Sequence, residues 1–263
     1  MNIAYDHHIH IGPYYNFYYD FHDVFNALIN NGVTAADCVY LTPKFDKFAP
    51  ARQYYEAVTE ELIAAKEFAG KIGLNVKFLY WCDPILLNNG MSLSEICRDF
   101  DYGGLAIHPR LHDWSPDKSE NVALLNTVFD FADRNKTDIY IHTGDSDDDN
   151  PCLFEPWYKD FPNVTVHLAH CKAHDEIIRL FGLYDNLLGD TAFCSKESVG
   201  AIRQAGFGQR LLFGTDFPIT HYYNYKEETN IPITEQSLTG NYAAVKAEFI
   251  KSYKKRIFVK KYL

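Results

Sequence analysis

Along this chain of 263 residues, short apolar runs alternate with longer stretches that carry a helical repeat. Ile3, Ala4 and Tyr5 read as a short buried strand, which Gly12-Pro13 is expected to end. Further strands are expected at 37–42, 75–82, 103–108, 138–143, 164–168, 186–191 and 210–214. Helices are expected at 20–31, 52–71, 92–100, 119–135, 174–182, 195–205 and 242–255, with a short one at 151–160. Within 52–71, Tyr55, Val58, Leu62, Ala65 and Ala69 recur at three and four, which lays one apolar stripe against a sheet. Leu125, Val128, Phe129 and Ala132 do the same in 119–135, and Ser195 is the expected N-cap of its helix.

Eight apolar strands separated by helices imply a parallel sheet. Their ends lie roughly 20 to 40 residues apart, the size of a strand–helix unit. No Gly-x-Gly-x-x-Gly follows any strand, which argues against a dinucleotide-binding doubly wound sheet. The length suits one closed barrel, and no linker or short-period repeat divides it. The expected fold is α/β, a (β/α)₈ TIM barrel forming a single domain over residues 1–263.

Composition narrows the partners. A formal charge of −10 and a pI near 5.5 argue against a nucleic-acid binder and fit a small-molecule substrate. No apolar stretch is long enough to span a membrane, and no basic-then-apolar signal opens the chain. Six scattered cysteines without Cys-x-x-Cys read as reduced, mostly buried thiols of a cytoplasmic protein. Association into a homo-oligomer is left open.

Candidate chemistry collects at strand ends. Regular alternation puts Asp6, His8 and His10 on one side of the first strand, where two imidazoles form two arms of a metal clamp. Later strands end in His108, His142, His170 and Asp216. Five of the eleven histidines thus fall at one rim, the face where barrel enzymes place their chemistry. Taken alone, His108 reads equally well as a core histidine. The aromatics of 14–21, Tyr14 among them, either wall the site or pack against neighbouring loops. Arg110 is either an anion grip or half of a surface ion pair. The acidic run 145–149 reads as a solvated loop, with cation binding as the sharper alternative. Asp190 is expected to orient loops or ligands. Residues 219–240, which include His221, Tyr222, Tyr223 and Tyr225, read as a long loop able to act as a lid, with an oligomer contact as the competing reading. His7, His22, His167 and His174 are taken as structural, with His7 and His167 facing away from the sides that carry His8 and His170.

Several segments resemble the amidohydrolase superfamily, in particular its amidohydrolase-2 branch of barrel hydrolases and decarboxylases. They are Asp6-x-His8-x-His10, Gly103-Gly-Leu-Ala-Ile-His-Pro109, Tyr140-Ile-His-Thr-Gly144, Phe161-Pro-Asn-Val-Thr-Val-His-Leu-Ala-His170, Leu187-Leu-Gly-Asp-Thr191 and Gln209-Arg-Leu-Leu-Phe-Gly-Thr-Asp-Phe-Pro218. The resemblance implies that His8, His10, His142 and Asp216 hold one divalent metal, with His170 beside it facing the substrate or handling a proton. Three imidazoles and a carboxylate suit Zn²⁺, with Mn²⁺ or Fe²⁺ as alternatives. It further implies that Asp216 accepts the proton of a metal-activated water and that His170 polarises the substrate carbonyl. Tyr14, His108 and Arg110 are the candidate substrate contacts. Relatives with two bridged metals carry a lysine where Ala106 stands, so one metal is expected. TatD-like nucleases carry a glutamate on the fourth strand that is missing here. Many relatives follow the sixth-strand histidine with a glycine pair, and this chain has Cys171-Lys172.

The leading functional expectation is a metal-dependent hydrolase of a C–O or C–N bond in a lactone, ester or amide. A non-oxidative decarboxylase of a small aromatic or unsaturated acid is the enzymatic alternative. A non-catalytic ligand-binding barrel is the alternative of another class.

Overall fold

The computed structural model describes residues 3–144, 147–225 and 233–252. The first strand, β1 (Tyr5–Tyr14), pairs antiparallel with β2 (Phe17–Tyr19), and α1 (Phe21–Asn30) follows. The chain continues through β3 (Ala35–Tyr40), α2 (Phe48–Ile72), β4 (Asn75–Trp81), α3 (Pro84–Asn88), α4 (Leu93–Asp99) and β5 (Gly104–Ile107). Next come α5 (Pro109–His112), α6 (Ser119–Asn135), β6 (Asp138–His142), α7 (Glu155–Asp160), β7 (Val166–Ala169), α8 (His174–Leu183) and β8 (Leu187–Asp190). The last elements are α9 (Lys196–Gln204), β9 (Leu211–Leu212), α10 (Ile219–Tyr225) and α11 (Glu235–Ser252).

The sheet runs β2-β1-β3-β4-β5-β6-β7-β8-β9, and every pair except β1–β2 is parallel. Three backbone bonds join its two ends. His7 N–H donates to Phe213 O at 2.8 Å, Asp216 N–H to His8 O at 2.8 Å, and His10 N–H to Phe217 O at 2.7 Å. The expected (β/α)₈ barrel is therefore present, with β2 as an added hairpin strand.

The helical stripes bury as their spacing requires: Tyr55, Val58, Leu62, Ala65 and Ala69 on α2, and Leu125, Val128, Phe129 and Ala132 on α6. Ser195 caps α9 by accepting from Ser198 N–H. Most apolar burial lies between helices and sheet, and a smaller cluster of Val39, Leu41, Leu79, Trp81, Ala106, Tyr140 and Ile219 lies inside the barrel.

The first strand departs most from expectation. Gly12-Pro13 does not end it, because the pairs Gly12↔Tyr19 and Pro13↔Tyr18 carry the chain into the hairpin. Gly12 has φ +94°, and a Cβ there would lie 2.7 Å from the Tyr40 ring, so glycine permits both the turn and the approach. Residues 219–240 are not one long loop either. Ile219–Tyr225 is helical, α11 begins at Glu235 rather than at 242, and 226–232 lie outside the described residues. The lid expected there is untested. All six cysteines are free, and three of them are buried. Among the described residues, no helix is long and apolar enough to cross a membrane.

Candidate metal centre

The C-terminal ends of the barrel strands surround a cavity of about 90 Å³, lined by His7, His8, His10, Trp81, His142 and Asp216 among others. Regular alternation did not build it. Asp6 pairs with Ala36 but Ile9 with Cys38, so one extra residue on β1 makes a bulge. Past the bulge, His8 and His10 face the cavity, whereas the fully buried Asp6 points away from it. Asp6 accepts from Thr215 N–H at 3.1 Å, from the Thr215 hydroxyl at 2.7 Å and from the Tyr242 hydroxyl on α11 at 2.8 Å. The shared side expected for Asp6, His8 and His10 is corrected accordingly. So is the outward-facing His7, which lines the cavity. His167 is likewise turned inward, stacked on Tyr140 at 4.1 Å between ring centroids.

Two further site residues arrive through left-handed backbone: His170 has φ 59° and Asp216 φ 56°. Such conformations are unfavourable for residues with a Cβ and concentrate at functional sites. Close packing also serves the centre, since a Cβ on Gly214 would lie 2.9 Å from His8 Cβ and 3.0 Å from the Asp190 side chain.

His8 Nε2 and His10 Nε2 stand 3.2 Å apart, and Asp216 Oδ1 lies 3.3 Å from the first and 2.7 Å from the second. Tetrahedral zinc with Zn–N bonds of about 2.05 Å separates its ligand atoms by about 3.3 Å. The donor set therefore fits a small divalent cation. The rings are also turned correctly. His8 Nδ1–H donates to Asp190 Oδ2 at 2.8 Å, His10 Nδ1–H to Val39 O at 3.3 Å, and His170 Nδ1–H to Ala192 O at 3.1 Å. With a cation bound, His8 and His10 would keep these Nδ1–H bonds and turn Nε2 to the ion, and this is how outer partners orient ligating imidazoles. His170 Nε2 lies 3.8 Å from Asp216 Oδ2.

Burial lowers His8, but Asp190 and Asp216 outweigh it and raise it to about 9, so His8 carries a second proton that a cation would displace. Burial would raise the Asp216 carboxyl, but His8 and His10 outweigh it and hold it far below the usual range. Burial likewise opposes ionisation of Asp190, and His8 overrides it, keeping a carboxylate behind the ring. Burial lowers His10, and it drives His170 down to about 3 with the neighbouring His142 adding to the effect.

His142 falls in with His108 and Asp149 rather than with His8, His10 and Asp216. Its ring stacks on His108 at 3.8 Å and approaches His170 at 4.6 Å between centroids. The structure thus gathers three of the four expected ligands into one cluster, with the fourth elsewhere in the same cavity. His108 Nδ1 accepts from Leu111 N–H at 3.2 Å, capping α5 and stacking on Trp81. Tyr14 lines the cavity, whereas Arg110 is exposed and outside its lining.

Asp149 is the residue the sequence hid. Its run reads as solvated, and Asp147 and Asp148 are indeed exposed, but Asp149 is fully buried and accepts from Arg110 N–H at 3.1 Å. Asp145 and Ser146 lie outside the described residues. Asp190 has the orienting role expected of it, through His8.

The amidohydrolase family model matches residues 21–240. The chain belongs to the amidohydrolase family. The match starts after β1, so the first-strand histidines of this amidohydrolase are placed by geometry rather than by the match. No curated protein matches it. Among solved structures it is similar to a probable 2-pyrone-4,6-dicarboxylic acid hydrolase from Acinetobacter baumannii, at 12% identity over 96% of this chain and 95% of that one, TM-score 0.57. It is also similar to 4-oxalomesaconate hydratase from Rhodopseudomonas palustris, at 13% identity over 96% and 98%, TM-score 0.57. A third neighbour is 5-carboxyvanillate decarboxylase from Novosphingobium aromaticivorans, complexed with manganese, at 12% identity over 84% and 77%, TM-score 0.50. At these identities the likeness is one of fold, here that of the amidohydrolase barrels.

Proposed function

We propose that this amidohydrolase is a metal-dependent hydrolase of a C–O or C–N bond in a small lactone, ester or amide. The observation that carries the reading is the convergence of His8 Nε2, His10 Nε2 and an Asp216 oxygen, with both rings fixed by Nδ1–H donation. These residues would hold one divalent ion, Zn²⁺ by donor chemistry, with Mn²⁺ or Fe²⁺ as alternatives. Such an ion, when bound, acts as a Lewis acid toward a carbonyl and lowers the pKa of water from about 15.7 to about 7. Asp216, kept ionised by its imidazole neighbours, accepts the proton of the attacking water and returns it to the leaving oxygen or nitrogen. The carbonyl-polarising role expected of His170 is corrected: its Nδ1–H is committed to Ala192 O and burial keeps the ring neutral, so its Nε2 can only accept, from the attacking water or a substrate donor. Asp190 and the Val39 carbonyl keep the two ligand rings in register.

The cavity lining contains no lysine or arginine among the described residues. A substrate without a second carboxylate fits such a wall, and this favours hydrolysis of a neutral molecule over decarboxylation. The test is a panel of small lactones, esters, amides and aromatic acids assayed for acid release and for carbon dioxide, before and after metal removal. Acid release from neutral members that is lost on chelation and restored by Zn²⁺ is expected. Carbon dioxide as the only metal-dependent product would overturn the reading.

A further inference from the structure

Beneath the metal centre, the barrel interior carries a second histidine–carboxylate arrangement that the proposed chemistry leaves unused. Barrel cores of this type are ordinarily packed with branched apolar side chains. Here Asp37 of β3 is buried to 1% exposure and surrounded by donors. Tyr5 O–H donates to its Oδ1 at 2.7 Å, and Tyr140 O–H to its Oδ2 at 2.5 Å. His7 Nδ1 lies 2.9 Å from the same Oδ2, and the His7 ring stacks on Tyr5 at 3.9 Å. Burial pushes the Asp37 carboxyl up, but His7, Lys77 and Tyr140 outweigh it and hold it below the ordinary range. An ionised carboxylate only accepts, so the proton of a neutral His7 sits on Nδ1. The other nitrogen, Nε2, then carries a lone pair.

His7 lines the cavity of His8, His10 and Asp216, and its side chain retains 17% exposure. The bulge on β1 produces this placement, since it turns His7 and His8 inward in succession. Trp81 also lines the cavity, but its indole Nε1–H is fully buried, out of reach of a molecule held there. The lining therefore offers His7 Nε2 as an acceptor besides the metal ligands.

We propose that His7 is a substrate-binding residue whose Nε2 accepts a hydrogen bond from a hydroxyl or N–H group of the substrate. Asp37 is its positioning residue. This rests on the hydrolase reading and sharpens its substrate class: a small, uncharged, hydroxylated or amide-bearing lactone or ester. No proton changes hands at His7, which selects by tautomer. Losing one such neutral hydrogen bond is worth about tenfold in affinity.

Two measurements test it. Nitrogen-15 NMR of histidine-labelled protein as purified, with His7 assigned by its absence from His7→Phe, reads the tautomer. Nδ1–H with a bare Nε2 is expected, and Asp37→Asn should disturb that signal without removing metal. Calorimetry on zinc-loaded protein then compares 2-hydroxy-γ-butyrolactone with γ-butyrolactone. Wild type should prefer the hydroxylated probe about tenfold, His7→Phe should lose the preference while keeping its zinc, and His7→Gln should recover part of it. An Nε2–H tautomer, an unchanged preference in His7→Phe, loss of zinc from that variant, or no binding of either probe would overturn the proposal. Metal-dependent hydrolysis of other esters alongside any of those results would leave the hydrolase reading standing. Failure to bind zinc at all, with the expected His7 tautomer, would instead remove the hydrolase reading.

Discussion

Two imidazole clusters share one cavity and are wired oppositely. In the cluster of His8, His10 and Asp216, both ring Nδ1–H groups are given to acceptors, so both Nε2 atoms are turned toward Asp216 and would serve a cation that displaces their protons. In the cluster of His108, His142 and Asp149, His108 Nδ1 is itself the acceptor for Leu111 N–H, so the neutral ring carries its proton on Nε2. With Nε2 protonated and the Nδ1 lone pair taken by Leu111 N–H, His108 has no lone pair left for a metal. Two groups of similar composition thus differ at His10 and His108, decided by what the Nδ1 of each touches. Counting histidines at the rim cannot see that distinction.

The sharpest way to break the contrast is at its shared carboxylate. Asp216→Asn should lower turnover by about a thousandfold or more while thermal unfolding stays near wild type, because Asp216 serves as both ligand and proton acceptor. Near-normal turnover would remove it from the mechanism. Asp190→Asn acts one step further out, by weakening the acceptor behind His8. Metal affinity should fall about 10- to 100-fold, measured by chelator competition.

How much of this was legible beforehand follows from what periodicity can carry. The long helices α2 and α6 were readable because their apolar stripes persist over many turns. The strand ends naming His8, His10, His142, His170 and Asp216 were readable because the barrel gathers strand ends at one face. The inward turn of His7 was not, since a bulge breaks the two-residue repeat without leaving a glycine or proline to mark it. The left-handed backbones at His170 and Asp216 are equally silent, as both are ordinary residues in ordinary strand-end sequence. Asp149 is chemically identical to its exposed neighbours, and only the fold distinguishes it. The seven-residue α10 is too short and too polar-aromatic to show a stripe.

A separate effect sets two further buried histidines apart from the centre. Burial holds both His112 and His167 at about 4. Their folded values lie below the unfolded value of about 6.5, so the unfolded chain takes up protons first as pH falls. Stability is therefore intact above about pH 6.5 and declines toward pH 4, by up to about 3 kcal/mol for each histidine. Chemical denaturation between pH 7 and 4 should show this slope, and His112→Leu should roughly halve it; an equal slope in that variant would place the loss elsewhere.

The most direct test of the tautomer contrast is metal stoichiometry by elemental analysis in wild type, His10→Asn and His108→Asn, each purified without added metal. One divalent ion per chain in wild type and His108→Asn, and none in His10→Asn, is the predicted result. Retention in His10→Asn with loss in His108→Asn would contradict the account.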